Sequence, residues 1–287
     1  MPGPSPLILL VHCADRPGLV AAVTSFLARR GGNILHLDQH VDLEANVFFM
    51  RLEFDPSGLD SDADGFAEAF GKEIAKPHAM TWRLYDRRER PRLAILVSKY
   101  GHCLYDLLAR VRGGELRAEV PVVISNHSDL EPVARGFGVR FAHIPNTPAT
   151  RAEAEARMLA ELEGEGVRTV VLARYMQVLS AGFTDRYPQR VINIHHSFLP
   201  AFAGGRPYHQ AHARGVKLIG ATSHYVTPDL DQGPIIEQDI ARVTHRDAVA
   251  DLIRKGRDLE RVVLARAVWL HLERRVLAYH NKTVVFA

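Results

Sequence analysis

Cysteine is nearly absent from this sequence: Cys13 and Cys103 are the only two among 287 residues. That scarcity excludes a disulfide framework and a cysteine-built metal site, and it leads to the expectation of a reducing, cytoplasmic setting. Long apolar runs are missing as well. The N-terminal stretch MPGPSPLILLVHCADRPG has no basic segment ahead of its short apolar run, and nothing approaches the ~20 apolar residues of a membrane-spanning helix. Neither export nor membrane insertion is expected. Charge of one sign is also lacking, because 36 basic and 33 acidic residues leave a formal net charge of only +3. A near-balance of this kind, with the arginines scattered, supplies no nucleic-acid-binding patch. No repeat of solenoid period and no low-complexity segment occurs. What is present is 47% hydrophobic residues, enough to fill two cores or one large one.

The first ninety residues read as one α/β unit. Leu7 to Cys13 is a short apolar strand, and Asp15, Pro17 and Gly18 form a turn with Asp15 as a candidate cap. Leu19, Val20, Val23, Phe26 and Leu27 then recur at helical spacing until Gly31-Gly32. Asn33 to Asp42 and Val47 to Phe54 read as a hairpin, Ser61 to Ile74 as a helix capped by Ser61 or Asp62, and Ala79 to Tyr85 as a last strand. The order βαββαβ is the split ferredoxin-like unit. The charged, proline-closed stretch Asp86 to Pro91 reads as a solvated connector. The expected division is therefore 1–86, a linker 87–91, and a second domain 92–287.

From Leu93 onward the texture is of apolar strands alternating with helices, which is the pattern of a buried parallel sheet. Strands are expected at Leu93–Val97, Val120–Ser125, Val139–Ile144, Thr169–Ala173 and Val191–Ile194. Helices are expected at His102–Val111, Asp129–Arg135, Pro148–Glu163, Val178–Arg186 and Pro207–Arg214. Two strands across a turn (Lys217–Thr227, Pro234–Arg242) and one long helix, Asp247 to about Ala278, follow. The fold class is thus α/β: a ferredoxin-like domain followed by a doubly wound, mostly parallel domain. Ligands of such sheets sit at the carboxyl ends of the strands.

Chemistry concentrates at one of those ends, in VINIHHSFLP. Strand alternation puts Asn193 and His195 on one face and Ile192 and Ile194 on the other. An amide beside an imidazole suits a developing oxyanion, since the first gives neutral donors and the second can also carry a proton. Further on, Thr222 and His224 share a face in GATSHYV, and the turn that follows offers two carboxylates, Asp229 and Asp231, as a base or water-orienting group. Spacing does not choose between them, and Asx bonding within the turn is the plainer role for either. The histidines His196, His209 and His212 lack a carboxylate at metal-ligand spacing, so no metal is expected, and His209 and His212 read as surface residues. The first strand-to-helix loop, SKYGHC from Ser98 to Cys103, has a single glycine and is poorly made to cradle a phosphate. Lys99 remains a candidate anion partner there, His102 has no defined role, and Cys103 reads as a buried structural thiol.

Taken together, INIHHSFLPAF, GRPYHQA, GATSHYV and DLDQGPIIEQD resemble the formyltransferase fold of folate enzymes. The doubled histidine and PYHQ are similar to formyltetrahydrofolate deformylases. ARYMQVLS at Ala173 to Ser180 is similar to that family's pterin-holding segment, and DRPGLV, NILHLDQH and NVFFMRLEF resemble its small ACT domain. The resemblance covers essentially the whole chain. It implies the triad Asn193, His195 and Asp231, the latter being the second aspartate of DLDQG. It further implies 10-formyltetrahydrofolate as substrate, held by Met176, Gln177, Val178, Leu179, Val226 and Asp229, with Thr222 and His224 supporting Asp231. The implied products are formate and tetrahydrofolate, within one-carbon metabolism and the formate supply for purine synthesis, with no permanently bound cofactor.

For the first domain the resemblance implies an amino-acid effector, with Asp15, Gly18 and Asn33 to Gln39 where such effectors bind, or a dimerisation module without one. A homodimer or homotetramer is implied in either case. Two alternatives stand beside hydrolysis: formyl transfer to an amine such as glycinamide ribonucleotide, and a silent folate- or amino-acid-binding protein. A transformylase of the first kind needs a glycine-rich first loop, and SKYGHC departs from that pattern. Methionyl-tRNA formyltransferase, also similar, carries a basic C-terminal domain that one helix and NKTVVFA do not provide, so no tRNA substrate is expected.

Overall fold

The N-terminal strands over Leu7–Ala14 and Val47–Asp55 are mostly apolar and buried at nearly every position, so the sheet they form is covered on both faces. The computed structural model, which describes residues 5–200 and 207–286, places β1 (Leu7–Ala14), β2 (Asn33–Asp42), β3 (Val47–Asp55) and β4 (Thr81–Asp86) in one antiparallel sheet of order β2-β3-β1-β4. Two helices complete the βαββαβ order, α1 (Leu19–Arg29) and α2 (Ala63–Phe70), the latter continued by a π-helical turn at Gly71–Ala75. Leu7, Leu9 and Val11 of β1 and Phe48, Met50 and Phe54 of β3 meet Val23 and Phe26 of α1 and Phe66 and Phe70 of α2 in a single core. Asp62 caps α2 through the Gly65 amide at 2.8 Å. Asp15 does not cap α1, whose N-cap is Gly18 at φ 92°, a left-handed geometry that glycine adopts without steric cost.

The opposite face of this sheet is not open. Arg51 is buried there and donates to the carbonyls of Arg274 and Glu273 at 3.1 and 3.3 Å. Contacts divide the chain into a first unit of residues 1–89 with Glu273–Leu277 and Val284–Ala287, and a second of Arg90–Leu272 with Ala278–Thr283. The long C-terminal helix expected to reach Ala278 therefore ends earlier. It is followed by a half-buried hairpin, and Phe286, just after it, is buried within the first unit.

The second unit is built from β5 (Leu93–Val97), α3 (His102–Arg112), β6 (Val122–Ser125), α4 (Glu131–Gly136), β7 (Arg140–His143), α5 (Arg151–Gly164) and β8 (Thr169–Leu172). It continues through α6 (Ala181–Thr184), β9 (Val191–His195), α7 (Pro207–Arg214), β10 (Leu218–Tyr225), β11 (Ile235–Arg242) and α8 (Val249–Leu272), and the C-terminal hairpin is β12 (Val276–Tyr279) and β13 (Lys282–Val285). The sheet order is β11-β10-β9-β8-β5-β6-β7. Strands β5 to β9 pair in parallel, whereas β10 runs antiparallel to both β9 and β11. The apolar runs of β5, β6 and β8 are buried at every position, as expected of strands covered on both faces. The chain leaves β5 for β6 on one side and returns to β8 on the other. This makes the β5–β8 boundary the point where the strand order reverses, a place where ligands bind in such folds. Among the described residues no helix is long and apolar enough to cross a membrane.

The helix expected over Val178–Arg186 shrinks to α6. Glu155, buried on α5, accepts from both the amide and the hydroxyl of Ser180, and Ser180 in turn caps α6 through Phe183. The residues before it, 173–180, are thereby held outside helix and strand, with Arg174 left-handed at φ 65°.

Candidate active site

Strand β9 ends at His195, and the alternation along it brings Asn193 and His195 into one cavity of about 510 Å3. Antiparallel β10 sets His224 opposite Asn193 and Thr222 opposite His195. His224 is buried, with Nδ1 donating to the Tyr225 carbonyl at 2.9 Å. In the neutral ring that leaves Nε2 as an acceptor, and it takes one N–H of the Asn193 amide at 3.2 Å. The second N–H of that amide remains for a ligand oxygen.

The turn between β10 and β11 supplies the carboxylate. Asp231 Oδ2 lies 3.1 Å from His195 Nδ1, and its Oδ1 lies 3.5 Å from His224 Nε2. The backbone of Asp231 is left-handed at φ 55°, which a short polar side chain tolerates better than a bulky one. The hydrogen bond with His195, and then the close approach of the His224 ring, outweigh partial burial and hold the Asp231 carboxyl well below the usual carboxylate range, so it is ionised throughout the physiological range. Nε2 of His195 meets the Ser197 hydroxyl at 2.9 Å, leaving the imidazole positioned at both nitrogens. Gly233 closes the turn tightly: a Cβ there would fall within 3.0 Å of the Tyr225 carbonyl.

One wall of the cavity is apolar and partly exposed. Met176, Gln177, Val178 and Leu179 lie on it, together with Val226 and Leu230; Met176, Val178 and Leu230 are 53%, 47% and 62% exposed. Exposed apolar side chains on a concave surface are what a flat, partly apolar ligand covers. The segment is fixed from behind, since Ser98 Oγ accepts the Met176 amide at 3.0 Å and donates to Asn126 Oδ1 at 2.7 Å.

Two of the sequence candidates are elsewhere. Thr222 does not line the cavity and does not touch Asp231. Its buried hydroxyl donates to the Ser197 carbonyl and accepts from the Leu199 amide and from Gln238, and so pins the loop after His195. Asp229 is also off the wall, where its carbonyl accepts from the Thr227 hydroxyl. Conversely His209, expected as a plain surface residue, lines the cavity, whereas His212 and Lys99 do not. Part of the motif region, residues 201–206, lies outside the described residues.

Several cavity residues were not anticipated. Glu260 is buried on α8, and its oxygens engage Tyr208 Oη at 2.7 Å, His102 Nε2 at 2.7 Å and Arg174 Nε at 3.5 Å. Burial by itself would raise its pKa, but the His102 hydrogen bond and the Arg174 charge lower it. Tyr100 of the first loop is flanked by the guanidinium groups of Arg174 and Arg257, each 5.4 Å from the ring centre. Burial lowers His196 to about 4, with Arg174 and His195 adding to the effect. The signal for Glu260 was in the sequence: it falls in the apolar stripe of α8 with Leu252, Val263 and Leu264. Among the described residues, His102, Cys103 and Glu260 bring their candidate ligand atoms within 4.8 Å of one another. Hydrogen bonds from Tyr208 and His102 already occupy Glu260, and burial pushes the Cys103 thiol well up, away from the thiolate form that binds metals.

The second unit matches a family model described as formyl transferase over residues 91–268, and residues 7–64 match one described as ACT domain. The chain is 51% identical to the formyltetrahydrofolate deformylase of Synechocystis sp. over 97% of this chain and 98% of that protein. It is 41% identical to the enzyme of the same name from Escherichia coli over 97% of each. The crystal structure of a formyltetrahydrofolate deformylase from Pseudomonas syringae superposes with a TM-score of 0.96 at 47% identity, covering 99% of this chain and 95% of that one. A glycinamide ribonucleotide transformylase from Symbiobacterium toebii shares 35% identity and a TM-score of 0.65, over 69% of this chain and 95% of its own.

Proposed function

The chain belongs to the formyltetrahydrofolate deformylase family, a hydrolase that cleaves 10-formyltetrahydrofolate to formate and tetrahydrofolate, and we propose that Asn193, His195 and Asp231 carry that cleavage. The observation that carries the assignment is the contact of His195 Nδ1 with Asp231 Oδ2 beside the Asn193 amide. Met176 to Leu179 and Val226 would hold the pterin, and the formyl group would lie over Asn193 and His195. Amine transfer is not favoured, because the relatives that match the chain at full length are deformylases.

Water attacks the formyl carbon, forming a C–O bond and placing negative charge on the former carbonyl oxygen. The second N–H of Asn193 and an N–H of His195 stabilise that oxyanion, with His195 turning from Ser197 to meet it. Ionised Asp231 accepts a hydrogen bond from the attacking water and takes its proton as the C–O bond forms. The C–N bond then breaks, the departing nitrogen takes the proton that the water gave to Asp231, and formate leaves. Bonds made and broken balance with water alone. His224 holds Asn193 and Asp231 in register, a positioning role.

The first unit fits a regulatory ACT module of a homodimer or homotetramer. The exposed start of β2, from Asn33, and the Asp15 to Gly18 turn are its candidate amino-acid site, and an effector there must bind two states unequally to alter the rate. A cytoplasmic location accords with two free, buried cysteines. The reading is tested by incubating the protein with 10-formyltetrahydrofolate and no acceptor but water. Formate and tetrahydrofolate in equal amounts are expected, and no formate would refute it.

A further inference from the structure

The residues assigned to the reaction leave a polar part of the cavity wall unused: His102, Arg174, His196, Tyr208, Arg257 and Glu260. The fold itself does not fix the acceptor, since a glycinamide ribonucleotide transformylase shares it. Side chains on the wall must therefore make the choice. An amine that replaces water needs an oxygen to accept from its N–H groups, because an unpaired donor in a desolvated site is costly. Asp231 and Glu260 are the carboxylates among the described wall residues, and Asp231 is already committed to His195 and His224.

Glu260 is withheld from any visitor by three parts of the chain. Tyr208 from α7 donates to Oε1, while His102 at the start of α3 and Arg174 after β8 take Oε2. Tyr208 reaches it only because residue 256, one turn earlier on α8, is glycine: a Cβ there would fall within 3.0 Å of the Tyr208 Oη, Cζ and Cε1 atoms. Glycine in a helix interior is otherwise disfavoured. A destabilising residue in α8 and a buried charge both serve one contact, and burial of a paired charge is itself weak evidence for stability.

We propose, building on the deformylase reading, that the Tyr208–Glu260–His102 network seated on Gly256 determines the acceptor. It denies incoming amines the second wall carboxylate and leaves water as the nucleophile. Burial and the Glu260 charge raise the pKa of the Tyr208 phenol, so it stays a donor throughout the working range.

The test measures how the formyl group divides between water and added glycinamide, reading formate and N-formylglycinamide by mass spectrometry at complete conversion with enzyme in excess. The ratio does not depend on rate, so slow variants still give an answer, and a reaction without enzyme supplies the background. Wild type should give formate with no more than a trace of amide. Tyr208→Phe, which frees one oxygen of Glu260, should raise the amide share at least about tenfold, the scale of discrimination available to a single pocket contact. Gly256→Ala, which displaces Tyr208, should act in the same direction, and Tyr208→Phe combined with Glu260→Met, which leaves no acceptor oxygen at that position, should return the share to the wild-type value. Equal shares in wild type and Tyr208→Phe, or an elevated share that persists in the double variant, would overturn the proposal. Wild type that consumed the folate only when glycinamide was present would overturn the deformylase reading itself, and this proposal with it.

Discussion

Nδ1 of His195, at the end of a buried strand, and Oδ2 of Asp231, on a left-handed turn residue, lie 3.1 Å apart. The contact joins the imidazole proposed to stabilise the oxyanion to a carboxylate that stays ionised, and most of the expected behaviour of the site follows from it.

Asp231→Asn removes the charge and keeps the shape. Formate release should fall about 10²–10⁴-fold, the usual range for a positioned acid or base, while folate binding, followed by quenching of protein fluorescence, should change little. A variant that binds folate much more weakly but turns over normally at saturation would point to a binding role instead.

Asn193→Ala leaves β9 intact and deletes an oxyanion donor. The expected loss is about 10²–10³ in kcat with KM little altered. A change confined to KM would mean that the amide serves the ground state.

Gly233→Ala puts a methyl group into the Tyr225 carbonyl, which is backbone and has nowhere to go. The turn must shift and carry Asp231 off His195, so kcat should fall by about 10²-fold, as a misplacement of about 1 Å can cause. Normal kcat with only a lowered Tm would show that the turn does not position the carboxylate.

His196 supplies a pH-dependent part of the stability. Its folded-state pKa is lowered from 6.5 to about 4 by burial first and by Arg174 and His195 next, against the opposing pull of Glu260 and Asp231. The unfolded chain therefore binds a proton that the native state refuses, and stability falls as the pH drops from 6.5 to about 4. His196→Gln should flatten chemical denaturation midpoints across that window, removing about 2 kcal/mol of acid sensitivity. An unchanged slope would mean that the ring protonates freely in the folded state.

Legibility in the sequence followed locality. The β2–β3 hairpin, the continuous apolar runs of the buried strands and the shared face of Asn193 and His195 all rest on patterns within a few residues, and the structure has them where those patterns put them. Asp229 and Asp231 were indistinguishable by spacing because both occupy one turn; only the fold-back onto His195 separates them. Thr222 was misjudged for the same reason, since its partners at Ser197, Leu199 and Gln238 lie in other segments. The β12–β13 hairpin was hidden by the helical period of α8, although Val-Leu-Ala-Tyr and Lys-Thr-Val-Val around His280-Asn281 carry a strand–turn–strand pattern. The Glu260 network joins α3, α7, α8 and the segment after β8, and its local trace was one acid in an apolar stripe.

The central claim is that water, aligned at the His195–Asp231 pair, takes the formyl group. Turnover of 10-formyltetrahydrofolate in water enriched in ¹⁸O, with no amine present, tests it directly by the mass of the released formate. The account predicts formate carrying one solvent oxygen per turnover in wild type and almost no formate from Asp231→Asn. Formate without solvent oxygen, or equal release from the variant, would contradict it.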